Sequence, residues 1–351
     1  MSRKMSHKLS RKLSHKLSRK MSHKFSLVRS LSFVLALGAV AATAAVVVDG
    51  AFPAYRKAGK VGGSLKAIGS DTMNNEMALW SEGFRGFHPD VKVEVEGKGS
   101  STAPPALIAG TANFGPMSRA MKAEEIDQFE KQFGYKPTQL RTSIDMLAVY
   151  VHKDNPLKGL TLQQVDAIFS KTLKGGYGKQ IVTWGDLGLT GEWKDKPISL
   201  YGRNSASGTY GYFKEHALAK GDYRDEVKEQ PGSSAVVQAV ATDRYGIGYS
   251  GIGYRTSDVR ALPLAAEAGA GAQFVAAEAA NAYSGEYPLS RFLYLTVNYK
   301  PGSRLDDLRR EFIRYVFSRE GQEVVVKDGY LPVPASVARD ELKSVGIDPG
   351  F

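Results

Sequence analysis

The sequence predicts an α/β protein built from two domains. Apolar residues make up 42% of the 351 residues and glycine occurs 37 times, a composition that suits a globular chain long enough for two domains. Short strand-like runs lead at once into helix-like segments three times in succession, at 64–69 into 74–87, at 91–95 into 106–109, and at 112–115 into 123–133. Successive strand–turn–helix units predict a parallel sheet with right-handed crossovers. The turns between them are rich in Ser, Thr and Gly, and in such sheets the carboxyl ends of the strands face the ligand.

Met77, Leu79, Trp80, Phe84 and Phe87 recur at close to helical spacing, and His88-Pro89 ends that helix. Val91, Val93 and Val95 alternate with charged residues, as in a half-buried strand. Residues 140–151 form a long apolar strand that contains Asp145, and His152-Lys153-Asp154-Asn155-Pro156 breaks it as a candidate hinge. A capped helix is expected at 161–169, and Trp184-Gly185-Asp186-Leu187 is expected to pack a second core. Residues 197–201 read as a strand that feeds a turn, then a helix over 210–218. Ser233-Ser234 caps a further helix, and the Gly-rich strand 245–251 is a second candidate hinge. Residues 265–282 are Ala-rich and read as a surface excursion, 292–297 as a strand, and 305–317 and 320–327 as helices. The expected layout is a basic repeat plus signal peptide or anchor at 1–48 and a linker at 49–63. Domain 1 is discontinuous, 64–151 with 250–351, and domain 2 is 152–249.

The formal charge of +11 is unevenly placed. Residues 1–30 hold ten Lys/Arg and no acid, in tetrapeptide repeats of the MSRK and LSHK type. The rest carries 37 basic and 36 acidic residues, so the body is nearly neutral and nucleic acid is not an expected partner. An apolar run at 31–48 with small residues at 41–45 follows the basic repeat, the layout of a secretory signal. The expected location is therefore periplasmic, with anchoring at the inner membrane if the leader stays uncut. There is no Cys, which excludes disulfides, thiolate-ligated metal and a thiol nucleophile. The six His are scattered, and no metal site or cofactor is expected. Walker, Rossmann and HExxH motifs are missing from the sequence.

Four strand-to-helix turns carry the candidate chemistry: Ser70-Asp71-Thr72, Ser100-Ser101-Thr102, Ser118-Arg119 and Ser207-Gly208-Thr209, the last preceded by Arg203. A helix start offers unpaired N–H groups and the positive end of the dipole. Hydroxyls, a close-approach glycine and one guanidinium add the donors of an oxyanion cradle. Three of the turns precede the first candidate hinge and one follows it, as if an anion were held between two domains.

On these residues the chain resembles the PstS-like phosphate-binding proteins of phosphate ABC transporters, in the type II periplasmic binding protein family. The resemblance covers roughly residues 64–335. It is carried by Gly69-Ser70-Asp71-Thr72-Met73, Gly97-Lys98-Gly99-Ser100-Ser101, Phe114-Gly115-Pro116-Met117-Ser118 and, most specifically, Arg203 with Ser207-Gly208-Thr209. It implies two α/β domains, each a mainly parallel sheet flanked by helices, closing on phosphate in the cleft between them. It implies capture of inorganic phosphate outside the cytoplasm by a monomer, delivery to a membrane ABC permease, and no catalysis. Phosphate contacts are implied at Thr72, Met73, Ser100, Arg203, Ser207, Gly208 and Thr209. Ser70, Asp71, Ser101, Ser118 and Arg119 complete the candidate set.

The best-known members of the family place an Asp in the third turn as acceptor for a phosphate proton. Ser118, followed by Arg119, stands there in this chain. Asp71 or Asp145 is expected to supply the acceptor, with Asp71 favoured because it lies in the turn itself. Alternative readings are the same fold with sulfate, molybdate or a phosphonate, a phosphatase using Ser70 or Thr72, and a surface adhesion protein using the basic arm.

Overall fold

The computed structural model of the protein describes residues 45–351; the basic repeat, and the leader as far as residue 44, lie outside the described residues. Alternation of apolar and polar residues makes β1 (Gly63–Gly69), in which Leu65 and Ala67 are buried. The next apolar residues fall at helical spacing and make α1 (Asn74–Phe87). Its buried stripe of Met77, Trp80 and Phe84 packs against two helices near the end of the chain, and the Trp80 indole N–H donates to Gly321 O at 2.7 Å. Truncating an indole so placed costs about 3–5 kcal/mol. There follow β2 (Val91–Gly97), α2 (Ala103–Ile108), β3 (Phe114–Met117) and α3 (Ala123–Phe133). This is the expected run of strand–turn–helix units, and β1 pairs in parallel with both β2 and β3.

The long apolar run becomes β4 (Thr138–His152), fifteen residues buried along most of its length. A strand buried on both faces reads as a near-continuous hydrophobic run. Beyond it lie β5 (Leu160–Thr161), α4 (Leu162–Phe169), β6 (Ser199–Arg203), α5 (Gly208–His216), β7 (Lys228–Gln230), α6 (Ser233–Thr242) and β8 (Gly246–Gly251). Thr161 caps α4 through the Gln164 N–H, and Trp184 is buried against Trp193 edge to face, at 5.9 Å between centroids, in the second core. The chain then forms β9 (Val259–Ala261), β10 (Leu264–Ala265), α7 (Ala279–Tyr283) and β11 (Ser290–Val297). It closes with α8 (Asp307–Val316), α9 (Arg319–Lys327), β12 (Leu331–Pro332) and α10 (Ala335–Ser344).

The main sheet runs β2-β1-β3-β11-β4-β8-β6-β7. Parallel pairing holds on its flanks, where β6 pairs with β7 and β8 and β1 pairs with β2 and β3. Its centre is antiparallel, because β11 inserts between β3 and β4 and β8 lies against the far half of β4. β4 pairs with β11 as far as Met146 and with β8 from Leu147 onward. The strand therefore passes between its two sets of partners at Asp145–Leu147, upstream of the His152–Pro156 segment, which simply ends it.

Residues 49–63, expected as a linker, are packed. Phe52 and Tyr55 are buried, and the Tyr55 hydroxyl donates to Glu311 on α8 at 2.7 Å and lies 2.8 Å from His88 Nε2. Two aromatic rings in a stretch so short are the reason, since burying Tyr55 against α1 and α8 and Phe52 against Phe351 outweighs leaving the segment free. Within the Ala-rich excursion, β10 pairs with β5 and Val275 folds back on Leu264. No helix among the described residues is long and apolar enough to cross a membrane.

Candidate anion-binding site

All four candidate turns come together, at the carboxyl ends of β1, β2, β3 and β6. The first turn follows β1. Ser70 N–H donates to Pro116 O at 2.7 Å, and Gly99 N–H donates to Gly69 O at 2.8 Å, which fastens turns one, two and three to each other. Tyr254 donates its hydroxyl to Asp71 O at 2.9 Å, and Tyr330 donates to Thr72 O at 2.9 Å. The carbonyls of this turn, which would repel an anion, are thus satisfied away from it. α1 begins at Asn74 behind Met73, with no side-chain cap. The Asp71 carboxylate makes no cap on α1.

Asp71 instead reaches the far side of the sheet. It accepts from the Arg203 guanidinium, from Ser233 N–H at 2.9 Å and from the Ser233 hydroxyl at 3.2 Å. The carboxylate so rests on the first residue of α6, where the dipole favours it. Arg203, the last residue of β6, is 2% exposed. Besides Asp71 it donates from Nη1 to the Ser233 hydroxyl at 3.0 Å, and its Nε–H has no partner among the described residues. Ser70 Oγ, also buried, has none either. Buried donors are rarely left unpaired, so these two atoms mark room for a further acceptor.

The second and third turns supply Ser100 and Ser118. Ser100 Oγ accepts from Ser118 N–H at 3.0 Å and lies 3.3 Å from Ser118 Oγ. Ser207 caps α5 by accepting from Tyr210 N–H at 3.3 Å, and Gly208 and Thr209 are the first residues of that helix. Their amides have no intrahelical partner. Thr209 Oγ1 lies 2.9 Å from Thr72 Oγ1, so the first turn and the α5 cradle touch directly. Gly99, at φ +106°, packs on Ala206 O, and Ser101 N–H donates to the same carbonyl at 3.1 Å. Gly208 faces Ser100 and Ser118 so closely that a Cβ there would sit 2.6 Å from Ser118 Oγ.

Arg119 is placed differently. Its guanidinium forms a bidentate pair with Glu125 at 2.7 and 2.8 Å and donates to Ser101 Oγ at 3.1 Å. It holds the second turn against α3 and borders the site hydroxyls from outside. Asp145, buried at the crossing in β4, accepts from Arg291 Nε at 2.9 Å and Nη2 at 2.7 Å, and from Ile252 N–H at 2.9 Å. Every oxygen of Asp71 and Asp145 thus already accepts at least one hydrogen bond. Arg291 and Ser233 are the parts of this network that the motifs did not reveal. Ser233 reads in the sequence as a helix start, and only folding sets it beside Arg203.

Behind the first turn, Glu76 is fully buried in the first turn of α1 with neither carboxylate oxygen partnered among the described residues. Burial, and then the charge of Asp328, push its carboxyl well above the usual range. Burial also raises Asp328 from 3.8 to about 7. Between those pH values the folded chain holds a proton that the unfolded chain has released, so stability falls as pH rises through that window. Asp328→Asn is expected to flatten the decline of Tm between about pH 4 and pH 7 and to melt above wild type at higher pH. Parallel Tm–pH curves for the two proteins would remove Asp328 from this account.

Hydroxyls, helix starts and a buried guanidinium on a two-flanked α/β sheet define a solute-binding protein for a small oxyanion. Residues 55–320 match the PBP superfamily domain. The phosphate-binding protein PstS of Pseudomonas aeruginosa is 54% identical over 321 residues, 92% of this chain and 98% of that protein. PstS of Staphylococcus haemolyticus is 28% identical over 285 residues, 81% of this chain and 85% of that protein. A putative phosphate ABC transporter substrate-binding protein of Clostridium perfringens, solved with bound phosphate, superposes with a TM-score of 0.65 at 27% identity, covering 77% of this chain and 100% of that one. The chain belongs to the PBP superfamily, and within it to the PstS-like phosphate-binding proteins.

Proposed function

We infer that the protein binds inorganic phosphate outside the cytoplasm and hands it to a membrane ABC permease, without catalysing a reaction. The observation that carries this reading is the unpartnered Arg203 Nε–H beside a run of hydroxyls, Thr209–Thr72–Ser233. The 54% identical PstS protein supports phosphate as the anion. The contacts are Thr72 and Met73 from the first turn, Ser100 and Ser118 from the second and third, and Arg203, Ser207, Gly208 and Thr209. Ser70, Asp71, Ser101 and Arg119 surround and brace them. Residues 64–151 with 250–351, and residues 152–249, act as two lobes that close on the anion, with β4 and β8 as the strands between them.

The test is calorimetry of the purified protein against phosphate, sulfate and molybdate at two pH values. Phosphate is expected to give saturable heat, with the other anions much weaker. No heat with phosphate sinks the reading. An Asp71→Asn arm addresses the phosphate proton: an unchanged phosphate-to-sulfate ratio removes Asp71 as its acceptor. Turnover of a chromogenic phosphate ester would favour the phosphatase alternative.

A further inference from the structure

Arg291 lies far from every motif above, on β11, yet it reaches the end of the hydroxyl run at Thr209. Its Nη2 donates to Thr209 Oγ1 at 2.9 Å and its Nη1 to Ser118 O at 2.8 Å, while Asp145 holds Nε and Nη2. The Tyr212 ring lies under the guanidinium, 5.3 Å from Cζ to centroid. All three of Arg291, Asp145 and Thr209 are buried. A buried arginine held by a carboxylate on one side and a site hydroxyl on the other has its direction fixed.

Proton positions follow from the donor inventory. A guanidinium has no acceptor, so Thr209 Oγ1 must accept from Arg291, and its own proton must lie on another side. Thr72 Oγ1 lies there, at 2.9 Å. At the other end, Ser233 Oγ accepts from Arg203 Nη1 and donates to Asp71. Its single proton is therefore used, and Thr72, 3.4 Å away, can only donate to it. The chain Arg291–Thr209–Thr72–Ser233–Asp71 so runs in one direction, from a guanidinium to a carboxylate.

We propose that Arg291, braced by Asp145, is a positioning residue for the anion site: by donating to Thr209 Oγ1 it commits the Thr209 hydroxyl, and through it the Thr72 hydroxyl, to act as donors, so that a bound anion can take over their protons from Thr72 and Ser233. The proposal rests on the phosphate-binding reading and deepens it. An entering anion then needs only a rotation of the two O–H bonds away from Thr72 and Ser233, because the Arg291 donation keeps a Thr209 lone pair occupied on the far side. Arg291 also ties the third turn to the start of α5, so that Ser118 and Thr209 keep one spacing.

Removing Arg291 alone would leave Asp145 buried and unpaired, a strongly destabilising change. The main variant is therefore Arg291→Gln with Asp145→Asn, both neutral, with Arg291→Lys as the conservative partner. Each is measured by calorimetry with inorganic phosphate and by thermal melting without it. Wild type must bind phosphate; if it does not, the functional reading fails and not this proposal. The neutral pair is expected to weaken phosphate binding about tenfold or more. Arg291→Lys, a donor without an acceptor, is expected to restore part of the loss.

A cycle with Thr209→Val separates positioning from packing. When the hydroxyl that Arg291 orients is gone, the neutral pair should cost less than about threefold more. Losses that multiply in the triple variant, or a neutral pair that binds phosphate within about twofold of wild type, overturn the proposal. Should the neutral pair fail to fold, Arg291→Lys compared with Thr209→Val and their combination decides by the same rule.

Discussion

Gly208→Ala is expected to weaken phosphate binding about a hundredfold and to cost the ligand-free protein about 1–3 kcal/mol of stability. Gly208 opens α5, where alanine is a better helix former, so the backbone itself tolerates the change. The obstacle lies across the cleft. An added Cβ would overlap Ser100 Oγ and stand 2.6 Å from Ser118 Oγ and 2.9 Å from Ser100 Cβ. Carbon atoms rest at about 3.5–4.0 Å, so the second and third turns must withdraw from α5 by about 1 Å. Hydrogen bonds weaken steeply over such a step, and a small anion cannot follow both sides at once. Calorimetry reads the affinity, and the gain in Tm on adding phosphate should shrink with it. Small-angle scattering reads the closure: wild type should become more compact with phosphate, and Gly208→Ala should not. Wild-type affinity in the variant would show that these turns do not close on the anion.

How much of this was readable depended on how local each signal was. Arg203 and the Ser207-Gly208-Thr209 start of α5 lie within one turn of chain, so spacing alone placed the guanidinium beside the helix start. The β1–α1, β2–α2 and β3–α3 units were readable for the same reason, since strand and helix periods change within a few residues. The antiparallel centre was not. Nothing in 290–297 says that this strand will insert between β3 and β4, because that pairing joins residues well over a hundred positions apart. Arg291 was hidden by the same insertion. It stands 146 residues from Asp145 and among many arginines in a nearly neutral body. The partners of Asp71 were hidden too, because they lie outside its own turn. Its carboxylate gains more from a buried guanidinium and the α6 N-terminus than from one amide at the start of α1. Arg119 stands in the candidate set from its place in the third turn, and its partner Glu125, in the first turn of α3, is set by the fold.

Arg203 is expected to be the largest single contributor to anion affinity, and its variants separate charge from shape. Arg203→Gln should reduce phosphate binding by about three orders of magnitude and also destabilise the ligand-free protein by about 3–5 kcal/mol. The second effect arises because Asp71, 8% exposed, loses its guanidinium and keeps only Ser233. Arg203→Gln with Asp71→Asn removes the uncompensated charge, so stability should return while phosphate binding stays lost. Arg203→Lys keeps the charge but not the fork. One ammonium cannot serve Asp71, the Ser233 hydroxyl and an anion from three separate nitrogens, as Arg203 does with Nη2, Nη1 and the free Nε. Its affinity should therefore fall between those of wild type and Arg203→Gln. Melting without phosphate and calorimetry with it report the two effects independently. If Arg203→Lys matches wild type in affinity, the site reads positive charge alone. If the double variant regains phosphate binding, the guanidinium braces Asp71 and does not touch the anion.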